Sequence, residues 1–501
     1  MAKSVVSIAA GSMASKAVGL AREILFAAWF GAGETAAAYR VAQTAFLFPT
    51  HALVGDSLGA GLLPLYRSMQ ADGKGHHHAL MLAATLYALI FSLLSMILLY
   101  AFAHMVTQVV APGASANALQ LATVLLRIMS LALPFYIIGY LLSYVEAAHG
   151  AFGAIAWRPL AFNLGAILGA ALAVLTHKDH WLATGLVIGH VIFFAWTVHK
   201  LRGLDGGFPK ERQSTALLIL VSKRFARNTL PLLALPMLAQ GNILTERIVS
   251  SWLGTAVIPS VDYARFVSET IIQLVAFPLG ILTMASYGGK TVAESIKHVC
   301  QVSSAIIVMC APAAVFLSQN ATQVVTLIFA RGQFGSEAIE LTSEILRWFA
   351  ASLAISVTAY YFIKAMNAQL RNRESLLITL CAVAVNVAIN VMLWRHVGVH
   401  AIGLGAVAYS VVLFSLCVAR LGIWRQIAPL LGWVTLCSAV QALVTWKLVS
   451  ALSEYQGLAA SACTAAAIWL VAARKIPALR EAAAPALTRI PILNKLISTR
   501  Q

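Results

Sequence analysis

The chain has 501 residues, of which 60% are hydrophobic and only 11% charged, and its mean hydropathy is +0.83. That composition excludes a soluble globular domain and a disordered chain, both of which carry far more polar sequence. The net charge of +17 is spread along the chain instead of being interleaved with aromatics on a basic module, so it does not read as a nucleic-acid surface.

A bilayer span needs about 20 apolar residues, and stretches of that length recur from one end of the chain to the other. With Gly, Pro and charge clusters taken as punctuation, the spacing predicts helices at 5–30, 36–66, 79–107, 118–148, 154–176, 180–200 and 217–252. The second half continues with 257–288, 298–319, 338–368, 375–395, 400–421, 427–450 and 456–473. The expected fold class is an all-α polytopic membrane protein of about 14 transmembrane helices. The first helix carries charges and lacks a small-residue cleavage site behind a clean apolar core. It reads as a retained helix, with the mature chain starting near Met1.

The breaks between helices alternate in charge. Even-numbered breaks hold Arg67 and Lys74, then Arg158, then Lys200, Arg202, Lys210, Arg212, Lys223 and Arg224, and later Lys290, Lys297, Arg371, Arg373, Arg420 and Arg425. The odd-numbered breaks "GAGE" (31–34), "APGASAN" (111–117) and "LGTAVIPS" (253–260) lack Lys and Arg, with Lys178, Arg331 and Arg395 as exceptions elsewhere. The positive-inside rule then puts both termini and every even break in the cytoplasm, with some contact to anionic lipid. The polar break at 206–216 divides the first twelve helices into a lobe over 1–205 and a lobe over 217–425. Two extra helices within 426–474 and a basic tail over 475–501 follow. Both lobes open with a long helix carrying intramembrane charge, Lys16, Arg22 and Glu23 in one and Glu246 and Arg247 in the other. Matched features of this kind mark duplicated, pseudo-symmetric transporter halves.

Cys300, Cys310, Cys381, Cys417, Cys437 and Cys463 all fall inside predicted spans with no CxxC, which makes them small apolar packers. His76, His77 and His78 read as a solvated loop beside Lys74, with no second ligand cluster to complete a metal site. On a helix of about 100° per residue, Ser12, Ser15, Lys16, Gly19, Arg22 and Glu23 fall within a sector of about 120°. A charge at bilayer depth costs about 2.5–3.5 kcal/mol, so such a stripe faces a bundle interior or a watery cavity, or closes as an internal ion pair with Glu23. Arg40 and Asp56 add charge to the second helix, Arg127 and Glu146 to the fourth, Asp262, Arg265 and Glu269 to the eighth, and Arg347 and Lys364 to the tenth. The balance leans cationic, which suits a phosphate or diphosphate passenger held by charge-assisted hydrogen bonds. The chain has no Walker loop, no HExxH and no nucleophile elbow, and its short loops leave no room for an enzyme's acidic machinery. It reads as a transporter and not as an enzyme.

At this point the residues resemble a family. "SKAVGLAREILFAAWFGAG" (15–33) is similar to the S-R-x-x-G-x-x-R and F-G-A-G opening of the MviN/MurJ family, within the multidrug/oligosaccharidyl-lipid/polysaccharide exporter superfamily. Further stretches match in order: "LLRIMSLALPFY" (125–136), "RPLAFNLGAI" (158–167), "TERIVSSWLGTAVIPSVDYAR" (245–265), "LIFARGQF" (327–334), "YYFIKAMNAQLRNRESL" (360–376), "VNVAINVML" (385–393) and "GLGAVAYS" (403–410). The resemblance implies an inverted-V transporter of the bacterial inner membrane. It would flip an undecaprenyl-diphosphate-linked glycan, first of all the peptidoglycan precursor lipid II, from the cytoplasmic to the periplasmic leaflet by alternating access. It further implies that the last two helices form a groove for the lipid tail, and that bilayer lipids and a pathway polymerase and glycosyltransferases are the partners.

Lys16 and Arg22 match the two arginines of the family's opening motif, and Arg265 matches the arginine after Y-A, although its distance to "FPLGI" is longer than the family's by about eight residues. Thr50 and His51 stand where the family carries an arginine pair, and Ala37 stands where it carries an acid, so Arg40, His51 and Asp56 become candidate compensators. Those departures keep open a flippase for an exopolysaccharide or O-antigen repeat unit. A drug or cation antiporter of the same superfamily would need acidic cavity residues that are largely missing. The resemblance calls for no cofactor; membrane potential and a coupling ion, Na⁺ or H⁺, would drive the cycle. Glu246, where the family has an acid, with Asn386 and Asn390 one turn apart, makes a candidate oxygen-ligand cation site. The competing reading of the asparagines is a hydrogen bond between helices. Pro134 and Pro159 read as helix starts or bends, and Pro278 with Gly280 as a hinge.

Overall fold

The computed structural model describes residues 2–54, 56–72, 76–202, 214–270, 292–369 and 371–487. The 206–213 part of the expected linker, the Pro278–Gly280 hinge, "FPLGI", Lys74, Lys290 and the tail beyond residue 487 lie outside the described residues. Among the described residues every regular element is helical. Among the described residues eight helices are long and apolar enough to cross a bilayer, or ten if two bent pairs each count as one span. This is consistent with the expected fourteen, because each of the fourteen predicted stretches carries helix in its described part. Apolar side chains such as Ile90, Leu175, Met392 and Leu443 face outward at 60–76% exposure, the surface a bilayer covers.

The chain packs as two compact units, residues 1–259 with 331–335, and residues 260–330 with 336–501. The division falls at Pro259 and not within the 206–216 break. The first unit holds α1 (Ala2–Phe30), α2 (Glu34–Val54), α3 (Asp56–Ala71), α4 (His76–Ala101), α5 (Ala103–Val110), α6 (Ala116–Ser130) and α7 (Leu133–Ala148). It continues with α8 (Gly153–Thr176), α9 (His180–Leu201), α10 (Thr215–Thr229), a short 3₁₀ turn (Leu230–Leu233) and α11 (Ala234–Leu253). Helices α10 and α11, placed in the second lobe by the sequence, pack here because α10 lies against α3 and α4 and α11 against α2.

The second unit holds α12 (residues 257–270, from Ser260 on), α13 (Val292–Gln319), α14 (Ala321–Phe329), α15 (Ser336–Ala351) and α16 (Leu353–Ala368). It ends with α17 (Asn372–Val397), α18 (His400–Leu421), α19 (Trp424–Ala451), α20 (Glu454–Lys475) and α21 (Pro477–Leu487). The order of elements repeats between halves. A long helix and a short one (α4 and α5; α13 and α14) lead to a bent pair and then to two long helices (α8 and α9; α17 and α18). The bent pairs α6–α7 and α15–α16 turn by 46° and 54°. At both bends a serine hydroxyl donates to the carbonyl three residues back, Ser130 to Arg127 at 2.7 Å and Ser352 to Phe349 at 3.0 Å, a local bond that competes with the helical ladder. Pro134, in the first turn of α7, removes a backbone donor at the first bend as expected, while Pro159 lies inside α8.

Two close approaches explain particular glycines. Gly31 (φ +56°) ends α1, with its amide on the Ala27 carbonyl, and Gly332 (φ +58°) belongs to the "RGQF" turn. A β-carbon on Gly31 would strike the Gln333 carbonyl and one on Gly332 the Ala28 carbonyl, while the Gln333 amide donates to Ala28 at 2.8 Å. Along α8 and α9, Gly165 and Gly169 face Gly185 and Gly189. A β-carbon on Gly165 would lie 2.6 Å from the Gly185 carbonyl oxygen and 2.8 Å from Gly189 Cα. This is a double GxxxG seam, where small residues let two membrane helices touch along their backbones.

The loops of the first unit gather as the charge alternation requires. At one end the Ser115 hydroxyl donates to Glu34 at 2.6 Å, and the Ser115 and Gly113 amides donate at 3.0 Å to the Thr255 and Ser251 hydroxyls, joining the three Lys/Arg-free breaks. At the other, Arg67 donates to the Ala147 carbonyl at 3.2 Å, and the Tyr66 ring meets those of His77 and His149. The histidine triplet is not a loop. His76, His77 and His78 form the first turn of α4, with His77 buried beneath Tyr66, and no group of metal-binding residues occurs among the described residues. Of the cysteines, Cys310, Cys417 and Cys437 are buried packers, whereas Cys381 and Cys463 are exposed on their helices.

Candidate functional site

The charged stripe of α1 is closed by residues from two other helices. Gly19 leaves room for Asn163 of α8, whose amide nitrogen would lie 3.3 Å from a β-carbon there and donates to the Ser15 carbonyl at 3.2 Å. The Asn163 carbonyl oxygen accepts from Arg22 at 2.8 Å, and the Arg22 guanidinium lies 5.3 Å from the Phe162 ring centroid. Glu23 is buried between Arg22 and Arg40 and pairs with both. Arg40 is itself buried, 5.1 Å from the Phe26 ring. The internal ion pair weighed for Glu23 therefore forms, and Arg40 extends it into an Arg–Glu–Arg triad. Two arginines against one carboxylate leave one positive charge in excess. Lys16 adds another: it is half-buried on the same stripe and makes no ion pair or hydrogen bond among the described residues.

A second cationic group lies on α8. The sequence counts Arg158 with the cations of a cytoplasmic break although its predicted helix 154–176 already includes it; in the structure α8 starts at Gly153 and carries Arg158 in its second turn. The α8 amide of Ala154 donates to the buried Glu146 carboxylate at 2.7 Å, which fixes that start. The Arg158 guanidinium stacks 3.8 Å from the Tyr140 ring. Tyr136 of α7, Phe46 of α2 and Phe162 of α8 surround His190, whose Nδ1 is 2.7 Å from the Leu186 carbonyl. Arg158 and Asn163 were missed as site residues. The signal was present in the quoted "RPLAFN", where a helix begun at Gly153 brings both inside the span.

The remaining candidates lie on other helices. Asp56 opens α3. Glu246 is buried in α11 and accepts from Asn242 at 3.2 Å. Its neighbour Arg247 donates to the Thr44 hydroxyl at 3.1 Å and to the Ile258 carbonyl at 2.8 Å, tying α11 to α2. In the second unit Arg265 lies 5.5 Å from the Phe349 ring and 3.9 Å from Glu269, with a quarter of its side chain exposed. Asn386 and Asn390 are buried on α17, where Asn390 donates to Asn386 at 2.7 Å along the helix. Gly405 of α18 makes room for both, and the Asn390 carbonyl oxygen is buried without a hydrogen-bond partner.

Comparison with known proteins gives the family. The sequence model of the lipid II flippase MurJ family matches residues 26–464. Curated relatives include a probable lipid II flippase MurJ of Rhizobium tropici, 24% identical over 79% of this chain and 76% of its own length. The lipid II flippase MurJ of Burkholderia cenocepacia is 25% identical over 86% of both chains. Among solved structures, a lipid II flippase MurJ in an inward closed conformation aligns with a TM-score of 0.81 at 16% identity, over 93% of this chain and 97% of that one. An inward-facing multidrug resistance MATE transporter of the MOP superfamily aligns at 0.64 and 15% identity, over 84% of this chain and 99% of its own, a likeness of fold. With its family model spanning most of the sequence and its fold shared, this chain belongs to the lipid II flippase MurJ family.

Proposed function

We propose that this protein moves lipid II across the bacterial inner membrane from the cytoplasmic to the periplasmic leaflet. The observation that carries this reading is the α1 stripe: Lys16, Arg22 and Arg40 against the single acid Glu23, in a chain of this family. A diphosphate is matched by such a cationic lining, and Arg22 is the arginine whose fork is partly exposed at 17%. The protein makes and breaks no bond; it supplies a polar path for the head group while the lipid tail stays in the bilayer. Both termini lie in the cytoplasm, where the even-numbered basic breaks also sit. A pathway polymerase and glycosyltransferases act on either side of the step.

Outward movement of an anionic head group is favoured by the inside-negative potential, at about 2.3 kcal/mol per charge per 100 mV. A bound Na⁺ completes the coupling. The unsatisfied Asn390 carbonyl oxygen and the Asn386 carbonyl oxygen beside it suit a hard cation, and they would hold it within the second unit.

The test is complementation of a bacterium depleted of its own lipid II flippase. The wild type is expected to restore growth, and Arg22→Ala and Arg158→Ala, at matched membrane levels, to fail while Arg22→Lys rescues partly. Failure of well-inserted wild type would sink the lipid II reading. It would favour another undecaprenyl-linked glycan, for which Thr50 and His51, replacing the family's arginine pair, are the motivating observation.

A further inference from the structure

The α8–α9 pair carries an apolar trough that substrate transport leaves unused. The double GxxxG seam brings the two backbones together. Larger side chains stand on either side of it, Trp157, Leu164 and Leu168 from α8 and Ile188, Ile192 and Trp196 from α9, around a volume of about 330 Å³. Leu164, Leu168 and Ile192 are exposed. From Trp157 to Leu168 the helix rises about 16 Å, roughly half of a hydrocarbon core of about 30 Å, so the trough has the depth of one leaflet.

At one end the trough meets a basic rim. Trp196 also borders a recess formed with His199, Lys200 and Arg202, all three of them exposed, and Lys200 Nζ lies 5.9 Å from the Trp196 ring. The seam pairs Gly165 with Gly189 and Gly169 with Gly185, so the helices are antiparallel and Trp157 stands at the same end as Trp196. An apolar slot, two tryptophans at one end of it and a cluster of cations beyond follow one another in the order of a phospholipid's chain, glycerol and phosphate.

We propose that this trough and rim bind an anionic phospholipid of the bilayer, with one acyl chain between Trp157, Leu164 and Ile192 and the phosphate held by Lys200 and Arg202. Charge complementarity selects this occupant. A zwitterionic lipid offers the rim no net charge, and a second copy of the chain docking rim to rim would bring like charges together. Occupancy does not depend on the transport reading; only its assignment to the cytoplasmic leaflet rests on the proposed topology.

The experiment uses the full chain in phosphatidylcholine nanodiscs with increasing fractions of phosphatidylglycerol brominated in the acyl chain. The Trp157 signal is taken as the difference in fluorescence quenching between wild type and Trp157→Phe. Quenching is expected to saturate at a low mole fraction of brominated phosphatidylglycerol, but to rise only linearly with brominated phosphatidylcholine. The pair Lys200→Gln and Arg202→Gln should move the midpoint upward by roughly 30-fold, and the pair Lys200→Arg and Arg202→Lys should keep it in place. Equal quenching by the two brominated lipids in the wild type, a comparison that needs no charge variant, overturns the proposal. So does an unchanged midpoint in the glutamine pair.

Discussion

Replacing Glu23 by Gln removes the one anion from a group of three buried or half-buried charges. The Glu23 side chain is 3% exposed, Arg40 6% and Arg22 17%, so the arginines cannot turn to water when the carboxylate is lost. Breaking a buried pair by removing one partner costs about 3–5 kcal/mol, because it leaves uncompensated charge in a medium of low polarity. Arg40 bears most of this cost, being the more deeply buried of the two. Glu23→Gln combined with Arg40→Gln removes a charge of each sign, and the double variant is expected to be more stable than the sum of the single losses by about 1–3 kcal/mol. Reversible unfolding by SDS titration in mixed micelles measures all four corners of this cycle. Single losses that add to within about 0.5 kcal/mol would refute the triad as an energetic unit and leave Glu23 as a cavity residue acting independently of Arg40.

Two more outcomes follow from the same physical reasoning. Gly185→Val places side-chain carbons against the Gly165 carbonyl and Gly169 backbone, so α8 and α9 must separate; a monodisperse protein should be lost from detergent extracts, whereas Gly241→Ala, on a helix with nothing within 4 Å of the new carbon, should extract normally. Asn390→Leu removes the unsatisfied buried oxygen of α17, and translocation assayed in proteoliposomes should lose its Na⁺ dependence while folding is kept; retained Na⁺ dependence rejects the coupling site.

Much of this protein was determined by features that are local along the chain. Apolar length located the spans, since a helix must satisfy its own backbone in lipid, and the 100° period put Lys16, Arg22 and Glu23 on one stripe of α1 before any partner was known. Charge alternation grouped the loops, and the first unit joins 31–34, 111–117 and 253–260 at one end as that grouping required. Partnership between helices is not local, because it depends on how each helix is rotated and where it is bent. Only the tertiary structure could set Arg40 against Glu23 from beyond the Gly31 turn, bring Asn163 from 141 residues away onto Arg22, and stack Arg158 on the Tyr140 ring. The same holds for the bends at Ser130 and Ser352 and for the histidine triplet, which helix packing against Tyr66 turned from a polar loop into the first turn of α4. Composition and periodicity say which face of a helix is polar; the fold decides which neighbour answers it.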